Sequence, residues 1–182
     1  MIKLPLTLEH ALLGYLREQP MHAYQMYQHL EQAQALGLVW HLKQSQLYAL
    51  LARLEEAGYI AATTEPQGNR PPRRMLHLTA AGDAAFDRWL RAPVAHGRDF
   101  RQEFIAKLFF AQREGADRVL QLIADQRREC LGWLDEVREQ AGRVSEDRTF
   151  DWLVFQFRIS NLQAILDWLD VCRARLHVSA PS

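Results

Sequence analysis

The chain has 182 residues, 48% hydrophobic and 24% charged, with 22 lysines and arginines balanced by 22 aspartates and glutamates. This composition excludes a disordered or collagen-like chain and suits one domain, or a small domain with a helical appendage, while the zero formal charge gives no bulk attraction to nucleic acid. There is no run of about 18 apolar residues to span a bilayer, and the first residues lack the apolar core and cleavage site of a signal peptide, so a cytoplasmic protein without membrane contact is expected.

Leu4 to Arg17 is predicted to be a helix, because Thr7 offers a cap and Leu8, Ala11, Leu12, Tyr15 and Leu16 recur at three and four. Gln19-Pro20 stops it. A second helix is expected over His22–Gln34, with Tyr24, Met26, Tyr27, Leu30 and Ala33 along it and Gly37 ending it. A third follows over Lys43–Ala57, its stripe of Leu47, Leu50, Leu51, Leu54 and Ala57 facing a core and Gly58 supplying the stop. The opposite face of this third helix carries Gln44, Ser45, Tyr48, Ala52 and Arg53. Such hydrogen-bonding, small and cationic side chains differ from the Glu/Lys lattice of a merely solvated helix and let the helix approach another surface closely.

After Tyr59 the period changes. Ile60–Glu65 and Arg73–Leu78 are predicted strands, joined by a Gly-, Asn- and Pro-rich turn over Pro66–Pro72 to make a two-stranded hairpin. Arg70, Arg73 and Arg74 fall between Pro66 and His77 with no acid among them, so the positive charge available to phosphate is concentrated there. Thr79 then caps a helix over Ala80 to Arg91, and Pro93–Gly97 marks a module boundary between residues 1–92 and 98–178.

The rest is helical in period, over about 101–112, 115–140 and 147–175. In the last helix Trp152, Phe155, Ile159, Leu162, Leu166 and Leu169 form one apolar stripe, and Phe150, Val154, Phe157, Ala164, Ile165 and Trp168 a second beside it. One neighbour cannot hide both, so a homodimer is inferred, with the first stripe assigned to dimerisation. Cys130 and Cys172 sit among apolar residues and are expected to be buried thiols. The seven histidines are scattered, Ser45 lacks the glycines of a nucleophile elbow, and Gly68-Asn-Arg lacks the lysine of a phosphate loop. Neither a catalytic set, a metal site nor a cofactor is expected, and the chain is not taken for an enzyme.

Leu8-Glu-His-Ala-Leu-Leu-Gly-Tyr-Leu, His22-Ala-Tyr-Gln-Met, Ser45-Gln-Leu-Tyr48, Leu54-Glu-Glu-Ala-Gly58 and Leu78-Thr-Ala-Ala-Gly82, in that order, resemble the PadR family of winged-helix transcriptional regulators. Glu103-Phe-Ile-Ala-Lys-Leu-Phe-Phe-Ala111 resembles the helical C-terminal domain of its longer, virulence-activator-like branch. The resemblance implies a mostly α fold: a winged helix-turn-helix with a two-stranded wing, then an all-helical dimerisation domain. It also implies that the third helix enters the major groove of double-stranded DNA and that the wing touches the backbone or minor groove. By position Lys43, Gln44, Ser45, Gln46 and Tyr48 face bases and phosphates, Arg53 lies further along the helix, and Arg70, Arg73 and Arg74 are the wing contacts. Gln46 is the candidate base reader, since glutamine can bond adenine through both amide atoms.

Three positions depart from the family pattern: Ala23 replaces a glycine, Lys43 a small polar residue at the third-helix start, and Leu76 an aromatic in the second wing strand. The resemblance admits a small aromatic effector among the five tryptophans (Trp40, Trp89, Trp133, Trp152, Trp168), although Trp152 and Trp168 lie on stripes that a helical core must bury. The competing reading is a winged-helix interaction module that has lost DNA binding, motivated by the zero net charge and Lys43.

Overall fold

The computed structural model describes residues 7–32, 42–67, 70–145 and 147–177. Its elements run α1 (Thr7–Glu18), β1 (Met21–His22), α2 (Ala23–Gln32), α3 (Gln44–Glu56), β2 (Ile60–Gln67), β3 (Arg70–Leu78) and α4 (Ala80–Arg91). A 3-10 turn (Gly97–Asp99) and a π turn (Phe100–Phe104) lead into α5 (Ile105–Glu114), α6 (Ala116–Ala141) and α7 (Thr149–His177). The expected start at Leu4, the stop at Gly37, and Trp40 lie outside the described residues.

The chain divides into two compact units, Met1–Ala92 with Arg101–Phe110, and Pro93–Phe100 with Ala111–Ser182. In the first, three strands form an antiparallel sheet of order β1-β3-β2, so the sheet has one strand more than the two-stranded wing expected from sequence. The added strand is Met21–His22, of which His22 was expected to open the second helix. Met21 pairs with Leu76 and His22 with Met75. Met21 and Leu76 are both buried, so leucine fills the wing position where an aromatic is usual. The strands also run further into the turn than alternation suggested, because a register shift between Glu65 and Gln67 lets Pro66 and Pro71-Pro72 sit where the ladder is irregular.

α3 ends as the sequence reads. Gly58 has φ +74, its N–H donates to Glu55 O at 2.9 Å, and the Tyr59 N–H reaches back to Leu54 O at 2.9 Å. These bonds satisfy the last carbonyls in the left-handed geometry that glycine adopts without a Cβ penalty. Thr79 caps α4: its hydroxyl accepts the Gly82 N–H at 3.1 Å and donates to Gly58 O at 2.8 Å, tying the start of α4 to the end of α3. The core beneath is Leu12, Leu13, Leu16, Met26, Leu47, Leu54, Ile60, Phe86 and Leu90.

In the second unit α6 buries Val119, Leu122, Ile123, Gln126, Cys130, Leu134 and Val137. Gln126, fully buried, accepts the Val94 N–H at 2.6 Å and donates to Val94 O at 3.3 Å, so its amide acts as a short strand partner for the segment after α4. Both cysteines are buried free thiols. Burial raises each pKa, that of Cys172 to about 11, which keeps it protonated and unreactive at neutral pH. No helix among the described residues is long and apolar enough to cross a membrane.

Candidate nucleic-acid interface

α3 has two unlike sides. Leu47, Leu50, Leu51 and Leu54 are buried, whereas Gln44, Ser45, Gln46, Tyr48, Ala49, Ala52 and Arg53 are exposed. Three and four residues separate the buried positions, so the exposed ones form a continuous face on the opposite side. Lys43, at the N-cap with extended backbone, makes no side-chain cap bond, and an ammonium has no acceptor with which to make one.

The start of α3 is closed from inside the helix instead. The Gln46 and Leu47 N–H groups both reach Lys43 O, at 3.0 and 3.1 Å, and Gln46 Oε1 accepts the Lys43 N–H at 3.0 Å. Gln46 therefore supplies the half of a capping box that Lys43 cannot return. The two-atom adenine contact read from the sequence would draw on that same oxygen, which in this structure serves the cap. Lys43, Gln44, Ser45 and Tyr48 remain as the outward groups of the first turns.

Two of the expected arginine contacts are already engaged. Arg53 Nη2 lies 2.7 Å from Oε1 of Glu9, whose side chain is fully buried in α1. A buried carboxylate needs charged or hydrogen-bonding compensation, and the half-exposed arginine contributes it, so Arg53 is a strut between α1 and α3. Arg74 is ion-paired through Nη2 with both carboxylate oxygens of Glu55, while its backbone oxygen bonds His22 Nδ1 at 3.1 Å. Arg73, its neighbour in β3, is exposed and has no ion-pair partner among the described residues; the same holds for Lys43. Arg70 starts β3, but its side chain lies outside the described set.

Of these groups Glu55, Arg73 and Arg74 border a groove of about 760 Å3 between the first half of α2, the outer flank of α3, and β3. Tyr24, Gln28, Tyr48, Ala52, Glu55 and Arg73 line it. Tyr24 and Gln28 were not singled out from the sequence as site residues. Tyr24 reads there as part of an apolar stripe, but it stands in the first turn of α2 and is 56% exposed, close to the 47% of Tyr48. The available signal was two tyrosines and two glutamines on successive helices with an arginine-rich hairpin after them.

The stripes of α7 are also sorted. Leu162, Leu166 and Leu169, three of the six side chains assigned to dimerisation, are buried within the chain, along the helix pair α6–α7, and offer little surface to a partner. Phe155 and Ile159 are half-buried. Trp152 is exposed, as are Phe150, Leu153, Val154, Phe157 and Val171. The outward apolar surface is thus built mainly from the second stripe and its flank. Trp152 and Trp168, expected in a core, are both exposed; Trp89 is buried.

The Transcriptional regulator PadR-like family matches residues 12–88, and the Virulence activator alpha C-term family matches residues 100–177. A probable transcriptional regulator of Mycobacterium tuberculosis is 24% identical over 181 residues, 91% of this chain and 95% of that protein. The negative transcriptional regulator PadR of Bacillus subtilis is 29% identical over 120 residues, 66% of this chain and 65% of that protein. The crystal structure of Bacillus subtilis PadR in complex with operator DNA is similar with a TM-score of 0.47 and 24% identity, over 94% of this chain and 99% of that one. The helix-turn-helix and the three-stranded sheet with its wing thus lie in a PadR-like domain over residues 12–88, and a virulence-activator-type domain follows it over residues 100–177.

Proposed function

We propose that the protein is a dimeric cytoplasmic repressor that binds a pseudo-palindromic operator in double-stranded DNA, reading it with residues 1–92 and dimerising through residues 98–178. The observation that carries this reading is the exposed face of Lys43, Gln44, Ser45 and Tyr48 on one helix, beside an exposed Arg73 on the wing. A helix of that chemistry fits the major groove with its first turns toward base edges, and a wing arginine neutralises a flanking phosphate. Two such heads, linked by a dimer, address successive major grooves about one helical turn apart.

Fluorescence anisotropy with a duplex from upstream of the protein's own gene, compared with scrambled DNA, tests this reading. Binding is expected to prefer the native sequence and to weaken steeply as salt rises toward ~0.15 M. Arg73→Ala is expected to weaken all sequences alike and to lower the salt slope by about one. Equal and salt-insensitive affinity for both duplexes would instead favour the interaction module without DNA binding.

A small aromatic effector would be received in the second unit. A groove of about 670 Å3 is lined there by Gly97, Trp133 and Phe157, with Arg98 and Arg158 beside them. Its size lies in the range of ligand sites, and ring faces with adjacent guanidinium groups suit a flat aromatic acid. Titration with 1-naphthoate is expected to quench tryptophan emission in the wild type but not in Trp133→Phe with Arg158→Ala; equal quenching in both sinks the assignment.

A further inference from the structure

Glu55 is the only acid among the described residues lining the groove between α2, α3 and β3, where Arg73, Arg74 and two tyrosines also stand. Its carboxylate is met by Arg74 through both oxygens, and the Arg74 backbone is held by His22 from β1. One of the two described wing arginines is thus neutralised in place, while its neighbour Arg73 stays uncommitted.

We propose that Glu55 is an affinity-setting residue, which holds DNA binding below what the wing arginines alone would give. This rests on the DNA-binding reading above. Salt-dependent affinity grows with the number of phosphates that cationic side chains neutralise, and an arginine paired with a carboxylate adds none. The same carboxylate, on the wall of a groove beside the phosphate track, repels the backbone that Arg73 attracts. The pair is mostly solvent-exposed on the arginine side, with side-chain exposures of 62% for Arg74 and 32% for Glu55, so its contribution to folding is small, and removing either partner leaves the charge of the other facing outward.

Glutamine keeps the shape of the glutamate at position 55, and at position 74 a shorter hydrogen-bonding group; each removes one charge, and the double variant separates the electrostatic role from bracing of the wing. In anisotropy titrations at ~0.15 M salt, Glu55→Gln is expected to bind DNA about fivefold tighter, with a salt slope steeper by about one. Arg74→Gln is expected to bind about fivefold more weakly, because Glu55 is then left unopposed. The double variant, which again has no net charge at the pair, is expected to return to within about twofold of the wild type. Circular dichroism melts of all four proteins report whether folding is intact.

If Glu55→Gln binds no tighter than the wild type, or if the double variant is as weak as Arg74→Gln, the pair merely braces the wing and the proposal is overturned. Arg73→Ala separates the two levels. Should it weaken binding while Glu55→Gln changes nothing, only the affinity-setting role fails. Should the wild type itself show no salt-dependent DNA binding, the DNA-binding reading falls and takes this role with it.

Discussion

Phe157→Glu combined with Phe150→Glu is expected to convert the proposed dimer to monomers in size-exclusion chromatography with light scattering, raising the dissociation constant at least about a hundredfold. Both side chains are more than 70% exposed in the single chain, Phe157 at 71% and Phe150 at 77%. A helix surface that combines them with Leu153, Val154 and Val171 exceeds the scattered apolar residues a monomer usually shows to water. A glutamate brought into such a contact must be desolvated without a partner, a cost of several kcal/mol, while in the monomer it meets only water. Helical circular dichroism should therefore persist while mass halves. Affinity for a full operator should drop by about two orders of magnitude, because the second head is no longer held near its half-site. An unchanged dimer mass would exclude this face as the interface.

Gly82→Ala is expected to destabilise the protein by about 3 kcal/mol and to lower its melting temperature by roughly 10 °C. A Cβ at this position would stand 2.1 Å from Tyr59 O and 2.8 Å from Leu78 Cδ1. The nearest atom is backbone, and Tyr59 O already accepts the Thr79 N–H at 3.1 Å, so relief requires moving the start of α4 away from the end of α3. The Thr79 cap and the burial of Phe86, Trp89 and Leu90 one and two turns later oppose that movement. A melt within about 1 °C of the wild type would show that the helix start gives way at little cost.

Much of the architecture was legible in the residues because it is local. Leu47, Leu50, Leu51 and Leu54 mark α3 by spacing alone, Gly58 and Thr79 mark its end and the next start, and the buried positions of α6 follow the same three-and-four rule. β1 escaped because two residues cannot display a period, and Met21-His22 becomes a strand only through β3. The site was legible as a place, a polar helix face followed by an arginine hairpin. Its membership was not. Gln46 is a cap because Lys43 cannot be one, a local fact that could have been read from the missing acceptor on lysine.

The amino-acid sequence by itself determined the order and type of the long elements, the apolar side of α1 and α3, and the concentration of positive charge in the wing, because each depends on residues within a few positions of one another. Only the tertiary structure decided that Arg53 serves Glu9, that Arg74 is held by Glu55, and which α7 stripe faces inward. Those outcomes depend on partners far along the chain or on which neighbour reaches a helix first. A side chain's charge is free to act on DNA only after the fold has settled whether something of its own chain neutralises it.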